Sequence, residues 1–239
     1  MAVRWMAEMD SAEELDPLLA KLDPEQRAAA SSLVGPTCII AGAGTGKTRT
    51  ITHRIAYGIS KGYFSANRVL ALTYTSKAAA ELRTRLRALG VGEVSAKTFH
   101  SAALAQLDYF WPQFTGVRAP QVLEGKSRLL GRLAEERKYK VDAATLRDLA
   151  AEIEWRKVSL LSLDEYAQLN RKPPAGLSKE KLLEFLVAYE DAKTAANQID
   201  WEDVLVLTLG MLRAEPRALA HVHQQYRFFT VDEYQDISP

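Results

Sequence analysis

The chain has 239 residues, is 47% hydrophobic, and sets 31 basic against 30 acidic side chains for a net charge of +1. That suffices for a substantial core in one large or two smaller domains, and it excludes a globally basic surface, so a nucleic-acid partner would be held by local patches. The single cysteine, Cys38, excludes an intrachain disulfide and a cysteine metal cluster, and no run of about 18 apolar residues marks a membrane span.

The N-terminus mixes Arg4, Glu8, Asp10, Glu13 and Glu14 with apolar residues, so it has no signal-peptide core, and the default compartment is the cytoplasm. Residues 1–21 read as a weakly amphipathic segment without recognisable chemistry. Asp23 before Pro24 is a helix start: a carboxylate cap and a residue that needs no donor. Within that helix, the amide of Gln26 carries a donor and an acceptor, the pair that matches N7 and N6 of adenine.

Next comes CIIAGAGTGKTR, Cys38 to Arg49. The run Cys38-Ile39-Ile40-Ala41 predicts a buried parallel strand, with Cys38 a small buried residue. Gly42, Gly44 and Gly46 let the backbone curl so that its N–H groups face phosphate oxygens. Lys47 brings a cation to the β- and γ-phosphates, and Thr48 offers a hydroxyl to Mg²⁺. The helix expected to follow adds its positive N-terminal end, and Ile51, Ile55 and Ile59 give it an apolar stripe. The phosphate-loop pattern usually opens on glycine, and here that position is Ala41.

Residues 68–75, RVLALTYT, predict a second buried strand, and residues 76–90 a helix with Leu82, Leu86 and Leu89 in a stripe and Gly90 as its stop. Ligands of open α/β sheets gather beyond the carboxyl ends of the strands. Thr73, Tyr74, Thr75, Ser76 and Lys77 would therefore meet there, a grouping suited to a phosphodiester and a stacked base. A third strand, residues 94–98, leads into Thr98-Phe99-His100-Ser101, and a helix runs from there to Trp111-Pro112.

Between residues 116 and 197 the periodicity is helical and no strand is evident. The dense charges there read as solvated helix faces. Trp155-Arg156-Lys157, an aromatic beside two cations, is the exception and a candidate nucleic-acid contact. Helix returns at Trp201. His221 and His223 lack further ligands for a metal. The chain then reaches FFTVDEYQD, an apolar strand delivering two acids. Asp232 can hold Mg²⁺, and Glu233 can orient and deprotonate an attacking water.

In order, LDPEQRAA, AGAGTGKT, LALTYTSKAAAEL, TFHS, IDWEDVL and VDEYQD resemble the UvrD/Rep/PcrA group of superfamily 1 helicases, closest to its actinobacterial UvrD-like branch. The matches cover roughly residues 22–111 and 197–237. Ala41 in place of glycine is common in that group. The resemblance implies an α/β fold: a RecA-like P-loop domain with a parallel sheet, residues 1–111 and 197–239, and an inserted all-helical subdomain, residues 112–196. It implies 3′ to 5′ translocation on single-stranded DNA and at duplex junctions, driven by ATP and Mg²⁺. The nucleotide site would comprise Gln26, Ala41, Gly42, Ala43, Gly44, Thr45, Gly46, Lys47, Thr48 and Arg49. Thr48 and Asp232 would serve the metal, Lys47, Asp232 and Glu233 catalysis, and Gln235 the coupling of nucleotide state to DNA. Thr73, Tyr74, Thr75, Lys77, Thr98 and His100 would touch DNA. Tyr74 stands where the group commonly has Phe, and Ser76 replaces a usual Asn. The second motor domain and its arginine fingers have no counterpart here, so the chain reads as an N-terminal portion, by itself a binding module without turnover. The other readings are the motor part of a RecB/AddA-type helicase–nuclease, and a P-loop kinase or regulatory ATPase switch.

Overall fold

Short local signals start each element of the nucleotide-loop half. In the computed structural model, which describes residues 15–42, 44–174 and 177–237, Asp16 and Asp23 cap two proline-led helices, α1 (Pro17–Ala20) and α2 (Pro24–Ser31). Their carboxylates accept from the backbone N–H of Leu18 at 3.0 Å and of Gln26 at 2.8 Å. Helix α3 (Lys47–Ser60) buries Ile51 and Ile55 and packs Ile59 against the same core. Strand β1 (Val69–Thr73) is buried at all five positions, as a strand covered on both faces must be. Helix α4 (Ser76–Ala88) is capped by the Thr75 hydroxyl and stops at Gly90, whose φ of +79° is the left-handed turn that glycine tolerates. Strand β2 (Ser95–Thr98) lies parallel to β1.

The chain then becomes helical. Helix α5 (Phe99–Thr115) carries Pro112 inside it and continues beyond the expected stop at Trp111-Pro112. Strand β3 (Gln121–Val122) precedes helices α6 (Lys126–Glu136), α7 (Ala143–Val158), α8 (Leu163–Gln168) and α9 (Lys179–Ala195). Strand β4 (Gln198–Ile199) pairs with β3 in parallel, and α10 (Trp201–Ala214) follows. The region expected to be wholly helical therefore holds one strand; two residues are too few to leave a period-2 signal. Helix α11 (Pro216–Gln225) leads to β5 (Phe228–Val231), which joins β1 on its other side to give a parallel sheet of order β2-β1-β5.

These elements form two compact units among the described residues, one reaching to Thr98 and resuming at Ala220–Asp236, the other spanning Phe99–Leu219. The first has its core between the sheet, α3 and α4, with Ile55, Val69, Ala71, Leu82 and Leu86 buried. The second packs Leu130, Leu149, Phe185, Leu186 and Tyr189 in one cluster and Leu107 with Val204 in another. Among the described residues no helix is long and apolar enough to cross a membrane.

Two expectations need correction. Cys38-Ile39-Ile40-Ala41 is not a strand, Ile40 is 93% exposed and Cys38 is exposed. A parallel strand exists through its neighbour's hydrogen bonds, and among the described residues β5 pairs with β1 alone, leaving this segment no partner. Nor does Trp155-Arg156-Lys157 offer two cations to nucleic acid. Both are buried, Arg156 against Glu190 at 2.6 Å and Lys157 against Asp200 at 2.6 Å. The guanidinium of Arg171 covers the ring of Trp155 at 3.5 Å.

Candidate nucleotide and nucleic-acid site

Because all three strands of the larger sheet are parallel, their carboxyl ends lie on one edge. The register pairs Thr73 with Thr98 and Leu72 with Val231, so the residues after Thr73 and after Val231 emerge side by side. The Asp232 N–H still donates to the Leu72 carbonyl at 2.8 Å, which fixes the first acid at this edge.

The glycine-rich residues before Lys47 meet that edge through α3. Gly44 and Gly46 have φ of +76° and +84°, backbone that side-chained residues rarely adopt. A Cβ on Gly46 would also stand 2.9 Å from Nε2 of Gln26. Among the described residues no side chain caps α3, so its first-turn N–H groups stay available to an anion, with the helix dipole behind them. Lys47 Nζ donates to the carbonyls of Ala41 at 3.4 Å and Gly42 at 3.3 Å, and the Thr45 hydroxyl to Gly42 at 2.8 Å. Ala43 lies outside the described residues.

The amide of Gln26 is engaged at both ends. Its Nε2 donates to the Thr45 carbonyl at 2.8 Å, and its Oε1 accepts from the Asp23 N–H at 3.4 Å. The same side chain thus closes the capping box of α2 and ties that helix to the loop. Arg49 donates to the Lys21 carbonyl at 2.5 Å, a second tie to the same region.

Thr48 and Asp232 are 184 positions apart, and the fold joins them: the Thr48 hydroxyl donates to Oδ2 of Asp232 at 3.1 Å. Asp232 is 4% exposed. A hydroxyl and a carboxylate side by side are the hard oxygen donors that suit Mg²⁺, which keeps several waters and takes phosphate oxygens as further ligands. Among the described residues no three His, Cys, Asp or Glu side chains group as a metal cage. Glu233 takes φ of +55°, an uncommon backbone for a residue with a side chain, and its carboxylate accepts from Gln235 Nε2 at 2.5 Å.

Tyr74 is 59% exposed, and Thr75 and Lys77 are exposed beside it. The Thr75 hydroxyl is used, accepting from the Ala78 N–H at 3.1 Å. Thr73 is fully buried, and among the described residues its hydroxyl has no partner. Thr98 ends β2 next to Thr73. His100 belongs to the helical unit, half-buried on α5, with its ring edge-to-face against Trp201 at 5.9 Å between centroids. Burial pushes the His100 imidazole below its ordinary pKa, against the opposing pull of Glu202. Trp201 went unremarked in the sequence beyond starting a helix; a large aromatic at a first helical position was the available signal.

Residues 22–239 match the family described as UvrD/REP helicase N-terminal domain. The chain is 41% identical to the ATP-dependent DNA helicase UvrD2 of Mycobacterium tuberculosis (strain ATCC 25618 / H37Rv), over 94% of this chain and 34% of that protein. It is 32% identical to the ATP-dependent DNA helicase UvrD1 of Mycobacterium bovis, over 92% and 29%. To the ATP-dependent DNA helicase PcrA of Bacillus subtilis (strain 168) it is 28% identical, over 92% and 30%. The chain thus spans about a third of the length of the curated relatives it matches. With Thr48 and Asp232 joined at one sheet edge, and the family match running from Leu22 onward, the chain belongs to the UvrD/REP helicase family, matching its N-terminal domain.

Proposed function

We propose that the chain is the first, nucleotide-binding motor lobe of an ATP-dependent DNA helicase. In this reading it has a RecA-like P-loop fold, with residues 1–111 and 197–239 forming the lobe and residues 112–196 a helical subdomain. The observation that carries the proposal is the Thr48–Asp232 hydrogen bond, which joins phosphate loop and acidic strand into one site. The names of the relatives, all ATP-dependent DNA helicases, support the same class.

The loop N–H groups and Lys47 bind the phosphates of ATP. Thr48 and Asp232 hold Mg²⁺, which when bound neutralises charge on the phosphate oxygens. Glu233 accepts the proton of the attacking water. The Gln235 amide holds one oxygen of that carboxylate, so Gln235 orients the base and links its state to its surroundings. Gln26 exchanges its bond to the Thr45 carbonyl for the adenine edge. Tyr74 stacks on a base of single-stranded DNA, while Thr75, Lys77, Thr98 and His100 approach the backbone. The chain alone binds nucleotide without useful turnover, and hydrolysis and unwinding are activities of the whole protein.

The test is magnesium-dependent binding of a fluorescent ATP analogue by the wild-type chain and by Lys47→Ala. Wild type binds, and the variant loses most of its affinity with an unchanged melting curve. Equal binding by both, with or without magnesium, would refute the site.

A further inference from the structure

We propose that Thr73 is a positioning residue of the nucleotide site, its buried hydroxyl holding one water against the Asp232 carboxylate. The inference rests on the reading of Thr48 and Asp232 as oxygen donors to magnesium, and it takes Thr73 out of the expected DNA contacts.

Three observations carry it. The first is an idle hydroxyl. Thr73 is fully buried, and among the described residues its Oγ1 has no hydrogen-bond partner. The other buried threonines use theirs: Thr50 donates to the Gly46 carbonyl at 3.2 Å, Thr52 to the Thr48 carbonyl at 3.0 Å and Thr208 to the Val204 carbonyl at 2.7 Å. All three stand in helices, where a threonine hydroxyl can reach back one turn. Thr73 ends a strand flanked by β2 and β5, and an extended backbone offers no such carbonyl. Burying a hydroxyl without a partner is costly, and native interiors satisfy such groups with protein or ordered water.

The second observation is direction. Side chains alternate along a strand, and Val69 and Ala71 join the core that holds Ile51 and Ile55 of α3, so Thr73 takes the same face. The register pairs Leu72 with Val231, and one step further along these parallel strands Thr73 stands beside Asp232. The Asp232 carboxylate is on that face too, since it accepts from Thr48 of α3.

The third is spare capacity on the acid. Oδ2 of Asp232 accepts from the Thr48 hydroxyl at 3.1 Å, and Oδ1 from the Glu233 N–H at 3.1 Å. An ionised carboxylate offers about four lone-pair sites, so a water that accepts from Thr73 and donates to Asp232 adds to these bonds without displacing them. A partner of this kind fixes the orientation of a metal-binding oxygen before the metal arrives.

The test is a magnesium titration of the chain with a fixed amount of a fluorescent ATP analogue, for wild type, Thr73→Val, Thr73→Ser, Thr73→Ala and Thr48→Val. Thr73→Val keeps the shape and loses the hydroxyl. It should raise the half-saturating magnesium concentration about 10- to 100-fold, the usual effect of removing an outer partner of a metal ligand. Nucleotide binding without magnesium, and binding of an oligo-dT, should stay as in wild type. Thr73→Ser should restore the wild-type magnesium requirement, which a role in packing alone would not produce. Should Thr73→Val fail to fold, Thr73→Ser against Thr73→Ala decides: a raised requirement in Ala alone supports the proposal, and an equal shift in both overturns it. A normal requirement in Thr73→Val and Thr73→Ala beside a raised one in Thr48→Val would overturn the positioning role and leave the metal site standing. Weakened oligo-dT binding with an unchanged magnesium requirement would also overturn it and return Thr73 to the DNA. Nucleotide binding by wild type that ignores magnesium would overturn both.

Discussion

Replacing Asp200 with Asn tests the buried ion cluster that anchors α10. Asp200 is 1% exposed and accepts from Lys157 at 2.6 Å, Lys193 at 3.2 Å and the Tyr189 hydroxyl at 3.1 Å. Three cations, Arg156, Lys157 and Lys193, face three acids, Glu190, Asp200 and Asp203. The amide keeps the size and the cap of α10, because Asn caps as well as Asp. What it removes is one charge, and two buried lysines then share fewer counterions. Breaking a buried pair in this way costs about 3–5 kcal/mol. We expect about 3 kcal/mol for Asn, because Asp203 and Glu190 remain, and about 1 kcal/mol more for Ala, which also loses the cap. In urea, with a slope of about 2 kcal/mol per molar, the Asn midpoint falls by roughly 1.5 M.

Acid adds a second arm. Burial pushes the Asp200 carboxyl up, and the charges of Lys157 and Lys193 outweigh it, holding the group below its ordinary 3.8. A depressed folded pKa contributes stability that is present above the unfolded value and lost as pH falls toward the folded one. The gap between wild type and Asp200→Asn should therefore be full at neutral pH and shrink below about pH 4. Fluorescence of the tryptophans and far-ultraviolet dichroism would follow the unfolding, with separate transitions fitted if the two units melt apart. A midpoint within about 0.5 kcal/mol of wild type at neutral pH, the size of an ordinary surface substitution, would show that the cluster is solvated and would refute the reasoning.

Three further outcomes are expected. In the whole protein, Glu233→Gln should keep ATP binding and stop hydrolysis, because the amide retains the shape and loses the base; equilibrium binding measured beside steady-state turnover decides it, and a parallel loss of both would sink this division of roles. Tyr74→Ala should weaken single-stranded DNA binding by about 1–3 kcal/mol and Tyr74→Phe should be nearly neutral, measured at matched salt; a normal Ala variant would make the ring a bystander. Gly46→Ala should lose nucleotide affinity and destabilise the chain by at least about 1 kcal/mol, since its φ is +84° and the new Cβ would meet the Gln26 amide at 2.9 Å; calorimetry with and without nucleotide checks both parts.

The signals legible in the sequence are those confined to a few neighbouring residues. Asp23 before Pro24, Thr75 before Ser76 and Gly90 after the leucine stripe set helix ends through bonds made within one turn, so the pattern alone predicts them. The glycines before Lys47 and the acids after Val231 are equally local, because each loop's chemistry depends on its own backbone. The tertiary structure decided whatever depends on a distant partner. Cys38-Ile39-Ile40-Ala41 has the composition of a buried strand, but a strand needs a neighbour, and among the described residues none pairs with it. Lys157 read as a candidate nucleic-acid contact and Lys193 as one of the charges of a solvated helix face, and burial beside Asp200 and Asp203 became possible only because α7, α9 and α10 converge. The bond from Thr48 to Asp232 closes the site across 184 positions, a distance over which no periodicity in the chain carries information. Local dihedrals and caps are set by adjacent atoms, whereas ladder pairing, ion burial and site closure are set by which segments the core brings together.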